Sequence, residues 1–192
     1  MVVATATQEG LSLTDFLAMP ETKPASEFID GKIVQKPFAD GKHSLLQGAL
    51  TSAISEQAEG KKIALALMEL QCTFGGRSLV PDIAVIRWEN LPRDEDGEIA
   101  DKFERYPDWV IEILSPDQSA IAVMEKIIFC LEHGTELGWL IDPQVKSIFV
   151  FQKSGLPQIY SLEKKPTESI PMITGFEDWQ LSIINILEWL KI

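Results

Sequence analysis

The segment PDWVIEILSP, residues 107–116, sets a carboxylate inside an apolar run. Trp109, Val110, Ile111, Ile113 and Leu114 read as a buried strand, and Glu112 interrupts them. A buried, unpaired carboxylate costs several kcal/mol and takes up a proton unless a partner compensates its charge. A second acid, Asp82, follows Pro81 in VPDIAVI and opens another apolar strand. Side chains alternate across a strand, so Val110, Glu112 and Leu114 share one face and Trp109, Ile111 and Ile113 the other. If the two strands are neighbours, Asp82 and Glu112 converge. Two carboxylates in one site repel, and a hard divalent cation between them relieves the repulsion. Such an ion, magnesium above all, activates water and stabilises charge on a phosphate oxygen. Lys126 lies on the helical segment that follows, where its ammonium can reach the site and stabilise a transition state.

These residues need a scaffold, and the patterning supplies one. SLTDFLAMPE reads as a short helix capped by Ser12 or Thr14, with residues 1–11 before it forming a flexible N-terminus. EFIDGKIVQKP reads as a hairpin turning at Asp30-Gly31. In GKHSLLQGALTSAISEQAEG, Leu45, Leu46, Ala49, Leu50, Ala53 and Ile54 carry helical spacing, and Gly60 ends the run. IALALMELQCTF reads as one strand or two, and SLVPDIAVIRW as another strand, buried on both faces. The acidic stretch ENLPRDEDGEIADKFERYP reads as a surface loop. After the WVIEIL strand, SPDQSAIAVMEKIIFCLEHG reads as a helix capped by Ser115 or Asp117 and ended by Gly134. LGWLID, KSIFVFQ and LPQIYSL read as strands, and the tail as a short helix on the sheet. The expected fold is mixed α/β in a single domain over residues 12–192, with one central sheet, flanking helices and additional hairpins.

In order and spacing these segments resemble the Uma2 family, also called DUF820, within the PD-(D/E)XK restriction-endonuclease-like superfamily. The resemblance rests on SEFIDGKIVQKP, His43, VPDIAVI, PDWVIEILSP, Lys126, HGTELGWLIDP and ITGF, and covers about residues 12 to 190. The usual superfamily lysine stands two positions after the glutamate, where this chain has Leu114. The Uma2 pattern moves it to the helix, where Lys126 stands. The resemblance implies a restriction-endonuclease-like fold and a Mg2+- or Mn2+-dependent endonuclease acting on DNA, in a family abundant in cyanobacteria. It implies Asp82 and Glu112 as metal ligands, with the Ile113 main-chain carbonyl as a further one. Lys126 would position the water or neutralise charge, and Glu27 of the first hairpin would assist. It also implies a homodimer, as in related enzymes that make double-strand cuts. The family often carries aspartate and tyrosine where this chain has Ala122 and Cys130. Both changes suit an alternative reading, a nuclease fold kept as a non-cleaving binding or regulatory module. A phosphohydrolase of smaller substrates is a third reading.

The bulk numbers weigh on these readings. The net charge is −12, which opposes broad affinity for nucleic acid. Lys32, Lys36, Lys42, Lys61 and Lys62 could gather on one face, or a dimer could assemble a groove. No apolar stretch approaches the ~20 residues of a membrane span. MVVATATQEGLSLTDF lacks a basic segment followed by an apolar core, so the expected location is the cytoplasm. With only two cysteines, which form no CxxC pair, and two histidines, no zinc site is expected, and Cys72 and Cys130 read as buried thiols. His43 reads more readily as a cap or packing residue than as a base. Gln71 in MELQCTF could point at the same site as Asp82 and Glu112. Trp88, Trp109, Trp139, Trp179 and Trp189 read as core or interface anchors rather than a base-stacking platform.

Overall fold

The structure, a computed structural model, describes residues 10–116 and 118–191. Asp117, one of the two expected helix caps, and residues 1–9 of the expected flexible N-terminus lie outside the described residues.

The chain opens with α1 (Leu13–Leu17), whose Ser12 side chain accepts from the Asp15 N–H while Asp15 answers back to Ser12. The hairpin follows as β1 (Ser26–Ile29) and β2 (Lys32–Gln35), turning at Asp30 and Gly31, both with positive φ. Helix α2 spans Gly41–Ala58 and is capped by Asp40. Then come β3 (Ala64–Met68), β4 (Cys72–Phe74), β5 (Arg77–Leu79) and β6 (Ile83–Arg87). After a long loop, β7 (Trp109–Ile113) leads to α3 (Ala120–His133). The chain ends with β8 (Leu137–Asp142), β9 (Ser147–Gln152), β10 (Gln158–Ser161) and α4 (Ile183–Glu188).

The expected central sheet is present, and two of the additional hairpins join edge to edge into a second, smaller sheet. Six strands run in the order β10-β9-β8-β7-β6-β3, with β7 and β8 parallel and every other pair antiparallel. Four shorter strands form a second sheet, β2-β1-β5-β4. The split has a local cause. SLVPDIAVIRW, expected as one strand, breaks at Val80-Pro81-Asp82. Proline has no N–H for a ladder, so the chain leaves one sheet at Leu79 and enters the other at Ile83. The second boundary that differs is the start of α3: Ser119 caps it rather than Ser115, accepting from the Ala122 N–H.

Each face of the large sheet is covered. Trp109, Ile111 and Ile113 pack with Leu46, Leu50 and Ile54 of α2 and with Ile183 and Ile186 of α4. On the opposite face, Val110 and Leu140 pack with Val123, Ile127 and Cys130 of α3 and with Leu79 of the small sheet. Gly138 permits the close approach of α3, since a Cβ there would collide with the Ile127 side chain. Glu112 therefore faces the side occupied by α3 and the small sheet. Both cysteines are buried and free, as expected, and Trp109 and Trp139 are core residues. Among the described residues no helix is long and apolar enough to cross a membrane.

Candidate active site

Four elements bring the four expected site residues together. Strand β6 lies antiparallel to β7 with Ile83 opposite Ile111, so one step earlier Asp82 stands opposite Glu112. Pro81 would be next in the ladder, opposite Ile113, but has no N–H to exchange. Asp82 takes its place: its Oδ2 accepts the Ile113 N–H at 2.7 Å. By strand geometry the Ile113 carbonyl leaves on the same side, toward a proline that cannot donate to it. Glu27 reaches in from β1 of the small sheet, and its Oε1 accepts the Val80 N–H at 2.7 Å. Lys126 descends from α3 between the two glutamates, with Nζ 2.5 Å from Glu27 Oε1 and 2.8 Å from Glu112 Oε1. All four side chains are buried. Lys126 is thus not the surface lysine that is the default on an amphipathic helix.

Three further residues complete the cluster. Lys36, just beyond β2, turns inward and donates to Asp82 Oδ1 at 2.6 Å and to the Val80 carbonyl at 2.8 Å. It is not part of a basic outer face. His43 of α2 sets Nε2 3.3 Å from Asp82 Oδ1, while its Nδ1 lies 3.2 Å from Ser115 Oγ. Gln47, one turn along α2, donates to the Asp82 carbonyl at 2.8 Å. His43, Leu46, Gln47, Leu50 and Ile54 follow helical spacing and are all buried, so the periodicity of α2 marks His43 and Gln47 as inward-facing. Lys36 carries no such signal, because it follows a mostly exposed strand. Gln71 does not join the site; it donates to Ser78 Oγ at 2.8 Å in the small sheet.

The electrostatics separate the two central carboxylates. Burial would raise the Asp82 carboxyl, but the His43 hydrogen bond and the Lys36, His43 and Lys126 charges outweigh it and hold it below its ordinary range. Glu112 goes the other way. Burial pushes its carboxyl up to about 7, Lys126 opposes that only partly, and Asp82 adds repulsion. Its Oε1 lies within ion-pair distance of Lys126 yet lacks an aligned hydrogen bond. Burial would lower the Lys126 ammonium, but Glu112, Glu27 and Asp82 hold it well above its ordinary value. Lys126 is therefore a permanent cation and donor, not a base.

The donor set suits a hard cation in chemistry and only partly in arrangement. Carboxylate oxygens and a main-chain carbonyl are the ligands magnesium and manganese take. Glu112 Oε1 is ion-paired to Lys126 at 2.8 Å, yet its carboxyl is still raised, which marks a negative charge that the protein alone does not fully compensate. Yet among the described residues no three His, Cys, Asp or Glu side chains are grouped to hold a metal. Asp82 Oδ1 is already engaged by Lys36 and His43. A narrow opening lined by Lys36, Pro37, His43, Asp82 and Gln118 connects this cluster to the surface. A larger open cleft lined by Val145, Lys146, Ser147 and Ile159 contains none of the site residues.

Comparison with known proteins bears on the family and the fold. The Uma2 family, described as "Putative restriction endonuclease", matches residues 13–184. A crystal structure of "a putative nuclease belonging to DUF820" from Anabaena variabilis is 46% identical, covers 94% of this chain and 99% of that chain, and superposes with a TM-score of 0.90. A cryo-electron-microscopy structure of a DrdV–DNA complex is 14% identical, covers 62% of this chain and 70% of that chain, and gives a TM-score of 0.37. No curated protein matches the chain. The fold, a mixed sheet flanked by helices with a hairpin sheet laid over one face, is restriction-endonuclease-like. With the match spanning most of its length, the chain belongs to the Uma2 family.

Proposed function

We propose that this protein is a divalent-metal-dependent endonuclease that hydrolyses DNA phosphodiester bonds at the Glu27, Asp82, Glu112 and Lys126 cluster. One observation carries the reading: three carboxylates and a lysine from four separate elements converge in a buried cluster where Glu112 Oε1 lacks a hydrogen bond. Burying that much charge is unfavourable for folding alone, which points to use rather than stability. The 46% identity to a protein described as "a putative nuclease" supports the same reaction class.

Asp82 and Glu112, with the Ile113 carbonyl, would hold Mg2+ or Mn2+. The ion, when bound, supplies positive charge to a phosphate oxygen and acidifies a neighbouring water. Lys126 stays protonated and stabilises the negative charge that develops on the phosphoryl oxygens. Glu27 is a positioning residue: tied to the Val80 N–H, it holds the Lys126 ammonium beside Glu112. His43 and the Ile113 N–H fix the Asp82 carboxylate from two sides. Two chains paired in solution, acting in the cytoplasm, would form a DNA groove that one chain of net charge −12 lacks.

A non-cleaving binding module is the reading favoured by the closed ion pairs on Asp82. The two separate on labelled duplex and single-stranded oligonucleotides incubated with Mg2+ or Mn2+. Cleavage by wild type that disappears in Asp82→Asn supports the nuclease. Retained DNA binding with no cleavage in either metal would replace it with the binding module.

A further inference from the structure

Resting on the metal site proposed above, we propose that Lys36 is a built-in competitor for that site: its ammonium occupies the cation position on Asp82 and must swing out before a divalent ion can bind. The geometry separates the two lysines of the cluster. Lys126 projects from the buried face of α3, tied to Glu27 and Glu112, and cannot leave without unpacking the helix. Lys36 follows β2, whose residues are mostly exposed, and lines a small recess whose rim includes the exposed Pro37, Ala39 and Glu69. Its side chain caps Asp82 from the outer side, with Nζ on Asp82 Oδ1 at 2.6 Å and on the Val80 carbonyl at 2.8 Å. Rotation of this one flexible side chain frees the side of Oδ1 that Lys36 covers, with His43 remaining on the other, and needs no repacking of the core. Asp82 stays oriented when Lys36 leaves, because Ile113 N–H, His43 and the Gln47 bond to its carbonyl remain.

The same position takes up the Asp82 oxygen that a divalent ion would need. Three carboxylates meet two ammonium groups, and that of Lys36 lies on Asp82 Oδ1, where the ion's charge would be needed. An ion that displaces a charge-assisted hydrogen bond gains only the difference between the two interactions. Lys36 therefore sets a threshold on metal concentration, below which the site stays closed and self-neutralised. Once released at the mouth, its ammonium faces incoming substrate, where an anionic phosphate is its natural partner.

The test is Mn2+ alone, titrated calorimetrically into the full chain as wild type, Lys36→Met, Lys36→Gln and Lys36→Arg, with thermal melts of the metal-free proteins. The expected result is opposite movement of two readouts. Without metal, Lys36→Met and Lys36→Gln melt at or below the wild-type temperature, because Asp82 has lost a partner. With metal, both bind Mn2+ roughly tenfold more tightly, while Lys36→Arg binds no more tightly than wild type. A merely structural lysine would, on removal, weaken folding and binding together. Unchanged or weaker Mn2+ binding by both neutral variants, beside measurable binding by wild type, overturns the competitor role and leaves the metal site standing. Absence of binding in wild type and in every variant overturns both.

Discussion

Replacing Glu112 by glutamine removes one charge from a fully buried position and changes the shape very little. The carboxyl ordinarily titrates near 4.5 and is pushed up to about 7 by burial, with Asp82 adding to the rise and Lys126 opposing it. Each tenfold change in proton affinity is worth about 1.4 kcal/mol, so keeping Glu112 ionised inside the fold costs on the order of 3 kcal/mol relative to the unfolded chain. Between pH 4.5 and about 7 the folded protein holds a proton that the unfolded chain has released. Stability therefore falls as pH rises through that window and levels off above it. Glutamine has no proton to lose, so Glu112→Gln lacks this fall. Lys126 keeps its bond to Glu27 in the variant and is not stranded. Urea denaturation of both proteins at half-unit steps from pH 4.5 to 8 reads the difference, since every other group is common to the two. Glu112→Gln is expected to gain on wild type with rising pH, by up to about 3 kcal/mol at pH 8. Parallel curves, or a variant several kcal/mol less stable at pH 8, would refute the reasoning and make the Glu112–Lys126 pair a net structural contributor.

Three further expectations follow from the same geometry. Lys126→Met leaves Glu27 and Glu112 buried without their shared cation, and urea denaturation near pH 7 should show a loss of about 3–5 kcal/mol. Asp82 is held well below its ordinary value, so its contribution is fully present above about pH 4 and is lost only as pH falls through the lowered folded value; Asp82→Asn should be less stable than wild type at pH 6, with the gap narrower but still open at pH 3. Burial pushes the Cys72 thiol up to about 12 and raises Cys130 as well, so a thiol reagent at pH 8 should modify the native protein slowly and label both cysteines at once in denaturant.

Much of this site could be read along the chain because its signals are periodic. Glu112 stands out by alternation alone: its neighbours are buried on both faces, so its own burial follows. The convergence of Asp82 on Glu112 needed only that β6 and β7 be neighbours, which they are. Lys126 falls in step with Val123, Ile127 and Cys130, so helical spacing places it on the inner face of α3. What escaped was non-local. Glu27, expected only through the resemblance, contacts Lys126 across 99 positions, and Lys36, read as a member of a possible basic face, contacts Asp82 across 46; neither strand's pattern says which sheet it joins. Both are placed by the break at Pro81, which divides an apparently continuous strand and lifts the hairpin sheet over the face that Glu112 occupies. Apolar patterning reports which face is inward but not where a chain changes sheets, so the central sheet and the additional hairpins were legible while the joining of those hairpins into a second sheet over the site was not. Gln71 shows the converse: it stands near the right segment but bonds to Ser78 within the small sheet.

The central claim is that this cluster performs phosphodiester hydrolysis with a divalent ion. Conversion of supercoiled plasmid to nicked and linear forms, followed against Mg2+ and Mn2+ concentration for wild type and Glu112→Gln, tests it most directly. The account predicts metal-dependent cutting by wild type and none by Glu112→Gln, although the variant folds at least as stably near neutral pH. Cutting by Glu112→Gln at the wild-type rate, or no cutting by wild type at millimolar concentrations of either ion, would contradict it.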